Sequence, residues 1–145
     1  MIHASWTNSL QDAVYLDGLQ IRKRVFVEEQ GFSIEIEIDE FEAQCEYLTL
    51  YSADNQALAT ARIYPYAEGV YKLQRIAVLQ SQRGKKLGER LMLEMEKRVK
   101  AYGSRRAILG AQDSAIAFYQ KCGYQVYGDG YEEEGVPHHM MEKRL

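Results

Sequence analysis

The sequence has only two cysteines, Cys45 and Cys122, far apart and in no C-x-x-C pair. That count excludes a disulfide framework and a cysteine-based zinc site, and it makes a reducing compartment the default. No apolar run approaches the ~18 residues that a membrane span needs, so no membrane partner is expected. The opening MIHASWTNSLQDAV has neither a basic start nor a long apolar stretch, so no secretory signal is expected and the cytoplasm is the expected location. There is no internal repeat and no low-complexity linker. The patterns G-x-x-x-x-G-K-[ST] and G-x-G-x-x-G are both absent, which excludes a P-loop and a dinucleotide fingerprint. The formal net charge of -3 argues against nucleic acid as the main partner. His138 and His139 are adjacent. Neighbouring strand residues point to opposite faces, so they make a poor metal pair and no metal is expected.

What is present is an ordinary globular composition. The 145 residues are 46% hydrophobic, 27% charged and 11% aromatic, which fits one domain over residues 1–145. The charges are unevenly placed. Arg83 to Arg106 holds nine of the 18 basic residues against Glu89, Glu94 and Glu96. Glu28 to Glu46 holds eight acids and no Lys or Arg. Two solvated faces would explain this, and so would an anion site beside a region that attracts a cation.

Periodicity gives the elements in the order β-α-β-β-β-α-β-α-β-β. Ile2–Trp6 reads as a strand, and Thr7, Asn8 and Ser9 as N-cap candidates for a helix over Leu10–Val27, weakened at Gly18. Ile34–Asp39 alternates strictly and reads as a strand, or as a loop with an edge strand. Strands follow at Glu46–Ser52 and Ala57–Tyr66 around the Asp54-Asn55 turn, with breaks at Pro65 and Gly69, and at Val70–Val78. Leu87, Leu91, Met95 and Val99 at i+4 steps mark a buried helical stripe, with Glu94/Arg98 and Glu96/Lys100 as exposed pairs. Ala107–Ala111 is a buried strand. Asp113 or Ser114 caps a helix closed by Gly123. Tyr124–Tyr127 and His138–Leu145 are the last strands, separated by a loop. The expected class is α+β, with a mixed sheet.

The segment Leu73–Leu91 carries the most chemistry. A buried strand ends at Val78, and a helix opens at Arg83-Gly84-Lys85-Lys86-Leu87-Gly88. Free N–H groups and a partial positive charge at a helix start suit a phosphate. Lysines there are unfavourable to the helix dipole unless an anion sits nearby.

Arg83–Gly88 resembles the R-G-x-G-x-G/A loop of the GNAT superfamily of acetyl-CoA-dependent N-acetyltransferases, with Lys86 in place of the central glycine. Gln112–Tyr124 is similar to that family's N-x-x-A-x-x-x-Y-x-x-x-G-[FY] block, with Gln112 in place of Asn. These departures, together with Ile21–Gln30 and Tyr131–Met140, resemble the ElaA-type branch, and the four blocks span nearly the whole chain.

The resemblance implies a three-layer fold with helices on both faces of a mostly antiparallel sheet, whose strands four and five splay apart. Those strands map to Leu73–Val78 and Ala107–Ala111. It implies acetyl-CoA as cosubstrate. Backbone groups of Ile76, Ala77 and Val78 would meet the pantetheine arm, and one N–H would polarise the thioester carbonyl. Arg83, Gly84, Lys85, Lys86, Leu87, Gly88 and Glu89 would hold the diphosphate, with Gln112 and Phe118 also beside the cofactor. Tyr119 would be the general acid; without the motif it reads as a core tyrosine. Glu29, Gln30 and His138 would face an amine acceptor. Glu29, Asp39, Glu46 and His138 all stay open as the general base. The implied activity is acetyl transfer to a primary amine by direct attack; the alternative is a catalytically silent CoA-binding module. The chain would act as a monomer or homodimer.

Overall fold

The computed structural model describes residues 1–145 except the side chains of Glu35 and Ile36. Strands β1 (His3–Thr7), β2 (Glu46–Tyr51), β3 (Ala57–Ala67) and β4 (Val70–Val78) form an antiparallel meander. Strand β5 (Arg106–Gln112) runs parallel to β4, and β7 (Val136–Arg144) and β6 (Gln125–Glu133) complete the sheet in antiparallel pairing. The spatial order is β1-β2-β3-β4-β5-β7-β6. Helices α1 (Ala13–Arg22), α2 (Ile34–Glu37), α3 (Leu87–Ala101) and α4 (Ile116–Lys121) lie between the strands in sequence. The α+β class is the one expected, and so is the element order apart from α2.

Alternation along β2 puts helices on both faces. Thr49 Oγ1 donates to Val14 O at 2.8 Å, Tyr51 Oη donates to Asp17 Oδ2 at 2.7 Å, and Tyr15 meets Tyr47 edge-on at 4.7 Å. These contacts seat α1. Leu48 and Leu50, between them in sequence, join the core with Leu91, Met92, Met95 and Val99 of α3. The α3 stripe is buried as its spacing predicts, and each such side chain contributes about 1.5–3 kcal/mol relative to exposure.

Helix α1 does not break at Gly18. A Cβ there would lie 2.5 Å from Thr60 Oγ1 and 3.1 Å from Thr49 Oγ1, so glycine lets the helix sit close on the sheet. The N-cap is Asp12, which accepts from Val14 N at 2.9 Å, rather than any of Thr7–Ser9. Beyond Arg22 the helix widens into a π-helical stretch, Lys23–Glu29.

The acidic segment differs most from its sequence pattern. Among the described residues it holds the α2 turn and a 3₁₀ turn at Glu42–Gln44, and no strand before β2 opens at Glu46. The alternation reading also used Glu35 and Ile36, whose side chains lie outside the described residues. Three of its acids, Glu37, Asp39 and Glu42, are turned toward buried arginines. Glu37 accepts from Arg22 at 2.6 Å, Glu42 from Arg22 at 2.8 Å and from Arg62 at 2.6 Å, and Asp39 from Arg62 at 2.7 Å and Arg75 at 3.0 Å. Arg22 and Arg62 are fully buried. Buried charges must be paired, and these partners set the local backbone more strongly than alternation does. The segment is therefore partly a solvated face, at Glu28, Glu29 and Glu40, and partly a set of buried carboxylates that hold arginines of the chain itself.

Three smaller readings also change. Glu94 pairs with Arg90 instead of Arg98, which reaches Glu46; Glu96 binds Lys143 and Tyr124. Strand β3 continues past Pro65, which pairs with Tyr71. Strand β6 runs on to Glu133, with a register shift between Tyr127 and Tyr131. It turns at Glu134 (φ 52°) and Gly135 (φ 76°), the two positive φ values that a tight type I′ hairpin requires.

Candidate active site

The site is built where β4 and β5 part. They pair only from Val70–Lys72 to Arg106–Ile108. Beyond that the inner edges of Leu73–Val78 and Leu109–Gln112 do not pair with each other, while the outer edges pair with β3 and β7. The inner edge of β4 at Ile76–Val78 therefore has no partner strand, although Arg83 Nε donates to Val78 O there.

Strand β4 is bulged at the same place. Thr60 pairs with Ala77 and Arg62 with Gln74, so Arg75 and Ile76 oppose Ala61 alone. Arg75 takes φ 55°, a conformation costly for a side chain with a Cβ. Its guanidinium contacts Asp39 at 3.0 Å and Glu37 at 3.4 Å, which holds the bulge against the acidic segment. Sequence reasoning missed this residue. The available signal was an acid-only run that needed buried arginine partners.

At the far end of β4, the chain passes a 3₁₀ turn at Gln80–Gln82 to Arg83. Gly84 takes φ 82° and Lys86 φ 61°. Lys86 is the N-cap of α3 and makes no side-chain cap bond, so the first N–H groups of a fifteen-residue helix stay uncapped. Phe118 packs at the same corner: a Cβ on Gly88 would lie 2.9 Å from its ring. Gly88 thus makes room for Phe118 as well as for a ligand. Arg83 is engaged by Glu29 at 2.6 Å and donates to Val78 O at 3.2 Å. Lys85 donates to Gln82 at 3.1 Å. These donors, the uncapped helix and the open strand edges fit a diphosphate joined to an extended amide-bearing arm, the shape of CoA.

A cavity of about 320 Å³ lies beside the bulge, lined among others by Phe26, Gln30, Glu37, Arg75, Ile76, Gln112, Tyr119, Glu133, Glu134 and His138. The structure therefore brings Gln30, Ile76, Gln112, Tyr119 and His138 together, as expected. Gln112 donates to Gln30 at 2.9 Å. Tyr119 is 9% exposed, and among the described residues its hydroxyl has no hydrogen-bond partner. Burial pushes its phenol up, so it stays protonated as a donor. Cys122, at the end of α4, is half-buried, and burial pushes its thiol up, which disfavours a nucleophilic thiolate.

The other carboxylates read from the sequence are engaged elsewhere. Glu29 is held below the usual carboxylate range by its hydrogen bonds to Arg83. Glu46 binds Arg98 and Tyr102. Burial opposes the charge on Asp39, but Arg62 and Arg75 outweigh it and hold the carboxyl below its usual range. Glu133 and Glu134, which line the cavity from the β6–β7 hairpin, were not singled out from the sequence.

Comparisons with known proteins agree with this geometry. Residues 20–145 match the acetyltransferase (GNAT) domain family. The chain is 37% identical over 135 residues to YjcF of Bacillus subtilis, an uncharacterized N-acetyltransferase, covering 92% of this chain and 91% of that protein. It is 30% identical over 131 residues to the protein ElaA of Escherichia coli, covering 88% and 85%. The crystal structure of ElaA superposes with a TM-score of 0.85, over 99% of each chain. A Lactobacillus plantarum protein superposes with a TM-score of 0.93 at 30% identity, over 99% of this chain and 98% of its own. With the splayed strands, the phosphate-type loop and the family match over most of its length, the chain belongs to the GNAT acetyltransferase family.

Proposed function

We propose that the protein moves an acetyl group from acetyl-CoA to a primary amine by direct attack on the thioester. The observation that carries this reading is the parting of β4 and β5. Their inner edges lie unpaired between the uncapped N-terminus of α3 and the cavity lined by Tyr119, whose hydroxyl has no hydrogen-bond partner among the described residues.

An amine is nucleophilic enough to attack a thioester, so the chain needs no covalent nucleophile of its own. Its tasks are to position the amine, to stabilise negative charge on the carbonyl oxygen, and to manage protons. Arg83–Glu89 hold the diphosphate through backbone N–H groups and the side chains of Arg83, Lys85 and Lys86. Ile76, Ala77 and Val78 bond the pantetheine amides, and an N–H at the bulge donates to the thioester oxygen. Gln112 and Phe118 flank the cofactor. Tyr119 donates toward sulfur as charge develops there. Gln30 and the β6–β7 hairpin face the acceptor.

The test is free-thiol release from acetyl-CoA over a panel of amines, amino sugars and peptides, with the acetylated product identified by mass. Amine-dependent thiol release matched by acetyl-amine is the expected result. Tight acetyl-CoA binding without release over the whole panel would overturn the reading.

A further inference from the structure

We propose that His138 is the group that takes the proton from the acceptor's ammonium, with Glu133 beside it to hold the positive charge. The inference rests on the acetyl-transfer reading above and adds the proton acceptor that it lacks.

His138 reaches the cavity from β7, and its side chain is 6% exposed. Nδ1 lies 2.7 Å from the carbonyl oxygen of Val136. A carbonyl can only accept, so Nδ1 carries the proton of the neutral ring and Nε2 carries the lone pair. Among the described residues Nε2 has no hydrogen-bond partner; its neighbouring carboxylate is Glu133 Oε2 at 3.6 Å. The ring stacks on Tyr131 at 5.5 Å, and its backbone lies between Gln112 of β5 and Tyr131 of β6 in register. A buried ring nitrogen is thus fixed in tautomer and orientation on a residue that lines the same cavity as Tyr119.

Lys72 of β4 lies within electrostatic reach of Glu133, and burial pushes its ammonium down; Glu134 also lines the cavity. Glu37 of α2 and Arg75 of β4 contact each other, and Glu37 also binds Arg22. Glu134 sits at the hairpin turn. Glu29, Asp39 and Glu46 are held by arginines. Among the described residues, Nε2 is thus a ring nitrogen without a hydrogen bond on a residue that lines the cavity, and Glu133 is the carboxylate next to it.

The step balances as follows. The ammonium gives one proton to Nε2, forming an imidazolium beside Glu133. The freed nitrogen lone pair forms the N–C bond to the thioester carbon, and the C–S bond breaks with its electron pair leaving on sulfur. The second proton lost by the nitrogen ends on that sulfur. The products are the amide, the CoA thiol and one proton, which the imidazolium returns to water.

The experiment compares the wild type, His138→Asn and Glu133→Gln on an alkyl amine that the wild type acetylates, and on hydroxylamine, which is neutral near neutral pH. An asparagine amide can still donate to Val136 but has no basic nitrogen. His138→Asn is expected to lower kcat at neutral pH by about 10²-fold or more, to recover as pH rises and free amine accumulates, and to show a deficit at least tenfold smaller with hydroxylamine (about one pH unit's worth of deprotonation). Acetyl-CoA affinity, read by calorimetry, should be unchanged. Glu133→Gln is expected to lower kcat at neutral pH several-fold, because it removes the charge that stabilises the imidazolium, and to recover as pH rises. A His138→Asn variant within about threefold of wild type at all pH values, or equally impaired with both nucleophiles, would overturn the inference alone. If that variant loses acetyl-CoA binding and so has not folded properly, Glu133→Gln decides: a kcat at neutral pH equal to that of the wild type overturns the inference. A wild type that binds acetyl-CoA but acetylates no amine overturns the transfer reading, and this inference falls with it.

Discussion

Glu29 and Arg83 face each other in a two-pronged ion pair, Nη1 to Oε2 at 2.6 Å and Nη2 to Oε1 at 2.8 Å. The pair ties the end of the π-helical stretch to the phosphate-type loop. Gln30, the next residue, accepts from Gln112 at the end of β5. Two adjacent residues therefore span both lips of the splay. A diphosphate that uses Arg83 must compete with Glu29 for it. Glu29→Gln should bind CoA up to about fivefold more tightly, because an exposed pair is worth roughly 0.2–1 kcal/mol. Its affinity for pantetheine, which has no phosphates, should not change. Calorimetric titration checks both, and weaker CoA binding by the variant would show that Glu29 is not a competitor.

Acetyl-CoA should raise the melting temperature by mass action. At a hundredfold excess over Kd the gain is about 2.7 kcal/mol. ATP and NAD should give much less, because they offer phosphates but nothing to the strand edges. Equal shifts from all three would reduce the groove to a generic anion patch.

The loop should respond to shape more than to charge. Lys86 takes φ 61°, so Lys86→Gly should relieve about 1 kcal/mol of backbone cost and raise the melting temperature, while Lys86→Ala should not. Gly88→Val should impair both folding and CoA binding, since its side chain would press on Phe118 and narrow the diphosphate site. Thermal melts with and without CoA separate the two effects.

Two carboxylates of the buried ion network, Glu42 and Asp39, make stability fall in acid, against Glu37, whose carboxyl burial pushes up. Burial opposes the charge on Glu42 and Asp39, but Arg22 and Arg62 with their hydrogen bonds outweigh it and hold both carboxyls below the usual range. Their folded values lie below the unfolded ones. Their contribution is therefore complete above about pH 4.3 and is lost as pH falls through the lower folded values. The melting temperature should drop across that window. Glu42→Gln should lose about 3–5 kcal/mol at neutral pH by leaving buried guanidiniums unpaired, and its acid drop should be shallower. A wild type equally stable at pH 3 and pH 7 would contradict this.

The order of elements and the α3 stripe were legible because the hydrophobic period there matches the buried face residue by residue. Gln30, Ile76, Gln112, Tyr119 and His138 could be placed together through the family resemblance, which maps motif positions onto one groove. The acidic segment was not legible. Its alternation imitates a strand, whereas its conformation depends on Arg22, Arg62 and Arg75, which lie in three other elements. The positive φ of Arg75 has no local sequence signal, since arginine gives no hint of a bulge that only distant carboxylates stabilise. Glu133 and Glu134 came to the cavity because β6 extends past Gly128 and Gly130, residues that read as loop.

The most direct test of acetyl transfer in this cavity is amine-dependent thiol release by the wild type and Tyr119→Phe at saturating acetyl-CoA. The substitution keeps the ring packed beside Phe118 and Tyr124 and removes only the unpartnered hydroxyl. Turnover should fall by roughly 10²-fold, while acetyl-CoA affinity stays nearly constant, because the hydroxyl acts mainly as charge develops on sulfur. Unchanged turnover on an acceptor that the wild type acetylates would contradict the account and leave Tyr119 as a packing residue.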